Sequence, residues 1–133
     1  MIGSHPEPPR RPLVIVVDDD GAVRNSLKFS LEIEGFAVRT YSDGNELLSG
    51  TDLATSRCLI VDHNLPGMTG LEAIARLRER HVLVPAILIT THPSAAVTER
   101  AAKAAVPIVE KPFLEDALLN QIQAALERPR GHG

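Results

Sequence analysis

From residue 13 onward the chain alternates short, continuously apolar runs with segments whose apolar residues recur every three or four positions. The runs 13–17, 36–40, 58–61, 86–90 and 108–109 predict five β-strands. Most show no polar alternation, as strands covered on both faces must. Between them, Val23, Leu27 and Leu31 repeat at i+4, and Leu71, Ile74 and Ala75 at i+3 and i+4. Val97, Ala101, Ala104 and Ala105 mark a helix of small residues, and Leu114, Leu118, Ile122 and Ala125 a last helix. A short helix is predicted near 45–48. Asp43 with Glu46, and Thr69 with Glu72, have capping-box spacing and mark two helix starts. Strand and helix in strict alternation predict an α/β fold: a five-stranded parallel sheet, doubly wound, with helices on both faces.

Length fits one such domain: 133 residues suffice for one hydrophobic core and are too few for two domains of ordinary size. Residues 1–12 carry four prolines and no apolar period, which predicts a disordered leader, with Gly3, Ser4 and His5 resembling a cloning scar. Pro129 and two glycines predict that the last helix stops before a flexible tail at 128–133, leaving 13–127 as the folded domain. No apolar run approaches the ~20 residues of a membrane helix. With one cysteine, Cys58, an internal disulfide is impossible, so the cytoplasm is the expected compartment and Cys58 is read as core packing. The net charge of −3 and scattered basic residues argue against direct nucleic-acid binding.

In an open parallel sheet, functional groups gather at the carboxyl edge, where strands end and helices begin. That rule selects Asp18, Asp19 and Asp20 after the first strand and Asp62 after the third. It adds Thr90 and Thr91 after the fourth, and Glu110, Lys111 and Pro112 after the fifth. Carboxylates about 4 Å apart repel by roughly 4 kcal/mol at an effective dielectric of about 20, so a cation must offset them. All-oxygen ligands favour Mg²⁺. Zinc lacks the clustered His and Cys it requires.

These residues also carry a resemblance. Val16-Val17-Asp18-Asp19-Asp20, then Val61-Asp62-His63-Asn64-Leu65-Pro66-Gly67-Met68-Thr69-Gly70, then Ile89-Thr90-Thr91-His92, then Glu110-Lys111-Pro112-Phe113 resemble, in order and spacing, the receiver domains of response regulators. The Thr-x-His and Glu-Lys-Pro-Phe pieces are closest to FixJ-type receivers. The resemblance implies a flavodoxin-like or CheY-like fold with strand order 2-1-3-4-5. It implies Asp62 as phosphoacceptor, with Asp18, Asp19, Asp62 and the backbone carbonyl of Asn64 holding Mg²⁺. Thr90 and Lys111 would hold the phosphoryl group, and the Lys111–Pro112 peptide bond would be cis. The implied role is regulatory: a two-component phosphoacceptor that promotes only its own phosphorylation and dephosphorylation. Its implied partners are a sensor histidine kinase or phosphotransfer protein, docking near the first helix and the loop after the fifth strand, and a second copy through the fourth helix and fifth strand.

The chemistry stands without the family name. A carboxylate is a competent nucleophile toward phosphorus when attack is in line and the equatorial oxygens are neutralised. The resulting acyl phosphate hydrolyses readily, and Asn64 and His92, two residues beyond Asp62 and Thr90, are placed to shape access of water. The chain also departs from the family pattern. Ile108 stands where an aromatic switch residue is usual, and Ala105-Val106-Pro107 replaces the usual Gly-Ala lead into strand five. Tyr41, the single tyrosine, lies at the end of strand two and is a poor substitute. Two other readings follow: a receiver-fold interaction module not switched by phosphorylation, and a haloacid-dehalogenase-like phosphatase using Asp18 as nucleophile and Asp20 as acid/base. The latter leaves Asp62 unexplained.

Overall fold

The five apolar runs form strands β1 (Leu13–Val17), β2 (Ala37–Tyr41), β3 (Cys58–Asp62), β4 (Ala86–Thr90) and β5 (Ile108–Glu110). The computed structural model describes residues 11–111 and 115–127. All pairings are parallel, in the order β2-β1-β3-β4-β5. Helices α1 (Gly21–Ile33), α2 (Gly44–Leu48), α3 (Gly70–Glu79), α4 (Ala95–Lys103) and α5 (Glu115–Glu127) connect and close them. The leader expected over 1–12 falls outside the described residues except for its last two, and the tail at 128–133 falls wholly outside. So do Pro112, Phe113 and Leu114, and with them the expected cis peptide bond.

The central strands are buried end to end because each face has its own core. Ile15, Val17, Leu59, Val61, Ala86 and Leu88 point to one side, packing with Leu47 of α2, Leu71, Ile74 and Leu77 of α3, and Ala101 of α4. Val14, Val16, Cys58, Ile60, Ile87 and Ile89 point to the other, against Leu27 and Leu31 of α1 and Leu118, Ile122 and Ala125 of α5. At roughly 1.5–3 kcal/mol per fully buried large aliphatic side chain, this double burial is the main force holding the sheet.

Helix starts follow the sequence signals. Thr69 and Glu72 form a reciprocal capping box on α3; on α2 only half of the expected box forms, Asp43 accepting from the Glu46 amide while the Glu46 carboxylate accepts from the Ser42 amide instead of that of Asp43. Helix ends differ from the reading in an informative way. Three helices close with paired Schellman hydrogen bonds, and the residue turning left-handed is Gly35 (φ 98°) after α1, His81 (φ 62°) after α3 and Ala105 (φ 57°) after α4. Phe36 therefore does not open β2. Its amide bonds to the Leu31 carbonyl, and its side chain packs in the same core as Leu31. Ala104 and Ala105 likewise leave α4 and are exposed, being its cap and turn; Ala75, counted on the apolar face of α3, is exposed as well. A 3-10 turn at Leu53–Thr55, not anticipated from the pattern, fills the approach to β3.

Candidate functional site

Because β1 and β3 are neighbours, the acids that follow or end them are neighbours too. Asp18 and Asp62 are buried, at 0% and 4% exposure, while Asp19 is exposed. One carboxylate oxygen from each of the three lies within 4.8 Å of the others. The Lys111 ammonium, arriving at the end of β5, donates to Asp18 Oδ2 and Asp62 Oδ2, each at 2.9 Å. One cation thus bridges two buried anions and leaves the rim with excess negative charge.

Asp18 is fixed on every side. Its amide donates to the Tyr41 carbonyl at the end of β2, its Oδ1 accepts from the Asp20 amide, and its carbonyl accepts from Arg24 Nη1 at 2.7 Å. Asp20 caps α1, accepting from the Ala22 and Val23 amides, which leaves its Oδ1 committed to the helix rather than to acid/base work. Asp62 Oδ1 accepts from the Asn64 amide at 3.0 Å, so the turn after β3 points a donor at the carboxylate. Gly70 lets α3 come close: a Cβ there would collide with the Asp62 carbonyl and with Leu88.

Burial pushes the Asp62 carboxyl above its ordinary range, and the neighbouring Asp18 charge adds to this; the hydrogen bonds from Lys111 and Asn64 oppose it. For Lys111, burial pulls downward, but the hydrogen bonds to Asp18 and Asp62 outweigh it and the ammonium is held above its ordinary value. Thr90, buried at the end of β4, lies beside this pair: its carbonyl accepts from the Lys111 amide, and Ile89 before it is in register with Asp62.

His63 continues the β3–β4 ladder through its amide, while its Nδ1 is buried without a hydrogen-bond partner. Its imidazole is held below the ordinary value, first by burial and then by the charge of Arg100. His92 is exposed and left-handed (φ 49°) in the loop before α4. Ile108 is half-buried against the core shared with Val97, Ala101 and Val106. Tyr41 is engaged elsewhere, its hydroxyl donating to Asp52, which also pairs with Arg39. Arg24 is the residue of the rim that the motif reading missed. The signal available was an arginine in the first turn of a helix, where the macrodipole disfavours a cation.

A family profile described as the response regulator receiver domain matches residues 14–123. The chain belongs to the response regulator receiver family. Receiver domains of this kind are the regulatory input modules of two-component systems. This receiver domain is 36% identical over 129 residues to Nodulation protein W of Bradyrhizobium diazoefficiens, covering 96% of the chain and 57% of that protein. It is 32% identical over 116 residues to the transcriptional regulatory protein FixJ of the same organism, covering 86% and 57%. The chain thus spans a little over half the length of these relatives. Among solved structures it resembles the response regulator StyR, with a TM-score of 0.82 and 36% identity over 89% of this chain and 60% of that one. It also resembles chemotaxis protein CheY4 of Vibrio cholerae, with a TM-score of 0.80 and 28% identity over 88% and 100%. The expected fold and strand order of the receiver family are those observed.

Proposed function

We propose that Asp62 accepts a phosphoryl group from a phosphohistidine of a sensor histidine kinase or phosphotransfer protein, and that the domain shifts between two packings in response. The observation that carries this reading is the shared Lys111 bridge between two buried carboxylates, with Asp19 beside them. The donor set fits Mg²⁺: all oxygen, more negative than one lysine can neutralise, and one side open through the exposed Asp19. Asp18, Asp19, Asp62 and the Asn64 carbonyl would hold the ion, which when bound supplies Lewis-acid neutralisation of phosphoryl oxygens.

An Asp62 oxygen forms the new bond to phosphorus as the phosphorus–nitrogen bond of the donor breaks and its electron pair returns to the imidazole. Lys111 moves its hydrogen bond from a carboxylate to a phosphoryl oxygen, and the Thr90 hydroxyl donates to another. Charge added at Asp62 then favours the arrangement that draws Thr90 inward and resettles α4. Asn64 and His92 flank the approach of the hydrolytic water.

The donor's docking face is α1. Phe29 and Ile33 are 67% and 68% exposed, and the apolar groove they share with Leu118 and Leu119 of α5 runs up to Lys111. A second copy is proposed to pair through α4 and β5. We place the domain in the cytoplasm; among the described residues no helix is long and apolar enough to cross a membrane.

A second reading, an interaction module not switched by phosphorylation, is favoured by Ile108, whose packing in the core offers no aromatic side chain to follow Thr90. Incubation with MgCl₂ and acetyl phosphate separates the two. A mass gain of one phosphoryl group that disappears in Asp62→Asn supports the phosphoacceptor. An unchanged mass in the wild type leaves the interaction module.

A further inference from the structure

Arg24 follows three consecutive acids in sequence and forms a salt bridge with none of them. Among the described residues it forms no ion pair with a carboxylate. Instead it reaches back from the first turn of α1 and donates to the main-chain carbonyl of Asp18, six residues earlier, at 2.7 Å. This placement is not one that favours the helix. A cation near a helix N-terminus opposes the macrodipole. The side chain also folds over Gly21, where a Cβ would come to 3.4 Å of its Nη2. Its charge faces the turn before α2 as well: Glu46 is held below its ordinary value, first by hydrogen bonds from Ser42 and to a smaller degree by Arg24.

We infer that Arg24 is a positioning residue for the metal-binding acids. It clamps the backbone from which the Asp18 carboxylate projects and from which Asp19 follows, while forming no salt bridge with either carboxylate. An arginine paired directly to Asp18 or Asp19 would compete with a divalent ion. One bound to the carbonyl holds the turn in its binding geometry and does not occupy the ligand atoms. The guanidinium suits this task because its charge is permanent and its donors are held in a fixed plane.

The inference rests on the phosphoacceptor reading, and calorimetric titration with MgCl₂ tests the two separately. In wild type, Mg²⁺ binding and acetyl-phosphate labelling of Asp62 report on that reading alone; absence of both removes it. Given wild-type binding, Arg24→Ala is expected to weaken Mg²⁺ affinity by about tenfold, the scale of one lost charge-assisted hydrogen bond. Labelling of Asp62 should then recover at saturating MgCl₂, so the effect falls on the half-saturating metal concentration and not on the maximal rate. Arg24→Lys, which keeps the charge but not the fixed fork, should lie between the two and serves in its place if the alanine variant does not fold. The opposite sign is informative. If Arg24 acts only as a nearby positive charge, its removal tightens Mg²⁺ binding, and that overturns the proposal. A fall in melting temperature with unchanged Mg²⁺ affinity overturns it equally.

Discussion

Neutralising Asp62 should make the metal-free domain more stable, although it deletes a buried hydrogen-bonded ion pair. The Lys111–Asp62 contact at 2.9 Å is worth about 6 kcal/mol at an effective dielectric of about 20. Against it stands repulsion from Asp18, about 3.5 kcal/mol at the 4.8 Å limit of the cluster, and a smaller share from Asp19, screened to about 1 kcal/mol by its exposure. The Coulomb contributions leave about 1.5 kcal/mol of net attraction, less than the several kcal/mol it costs to bury a second carboxylate, and the upward direction of the Asp62 shift agrees with that balance. Asp62→Asn leaves Lys111 paired with Asp18 and should gain about 1–2 kcal/mol, or about 4 °C in Tm for each kcal/mol. The effect has a definite pH dependence. Folded Asp62 holds its proton more tightly than the unfolded residue. Wild type therefore loses stability as pH rises from the ordinary carboxylate value through the raised one, and the gap to the variant widens in the same window and closes in acid. Mg²⁺ should reverse the ranking by binding the wild-type fold. Thermal unfolding followed by circular dichroism, with chelator and with MgCl₂ across pH, measures all of this. A metal-free Asp62→Asn domain that melts below wild type at neutral pH would refute the charge accounting.

Four further outcomes are expected. Phe29→Glu and Ile33→Glu, on the exposed face of α1, should slow phosphoryl transfer from a cognate phosphohistidine donor by tenfold or more while leaving labelling by acetyl phosphate unchanged; parallel radiolabel assays with the two donors check this. Ala105→Gly and His81→Gly should each raise stability by about 0.5–1 kcal/mol in urea unfolding, since both residues pay for a left-handed backbone. Gly70→Ala should cost about 1–3 kcal/mol and slow phosphorylation, because the added methyl presses on the Asp62 carbonyl; the unfolding midpoint and labelling rate read the two effects. Cys58, its thiol pushed by burial up to about 12, should resist iodoacetamide at pH 8 in the folded protein and react at once in denaturant, as mass spectrometry would show.

The strands were legible because a sheet covered on both faces demands unbroken apolar runs, and the two cores divide those runs by simple alternation. The rim was legible for a related reason: parallel pairing sends every strand end to one edge, so Asp18, Asp62, Thr90 and Lys111 could be grouped before any distance was known. Helix ends were harder to read. At Ala105 and His81 the turn is made by residues far less suited to the left-handed region than glycine, held there by paired backbone hydrogen bonds and by Val106 and Val82 tucking beneath. Phe36 misled for the complementary reason, being apolar and next to a strand while serving as the hydrophobic closure of α1. Arg24 was not legible from motif spacing because it binds a carbonyl, which every residue type offers.

Parallel pairing has a consequence for how such a domain can speak to anything attached to it. Leu13 opens β1 at the edge opposite Asp62, and Leu126, near the end of α5, returns to that same edge, where its carbonyl accepts from Arg57 just ahead of β3. Leu13 and Leu126 therefore lie roughly 15 Å, a full strand length, from the phosphoacceptor. A charge added at one edge can reach the other as a mechanical displacement through the layers between, and α4, with Ala101 as its one buried side chain, is the layer with the least holding it still.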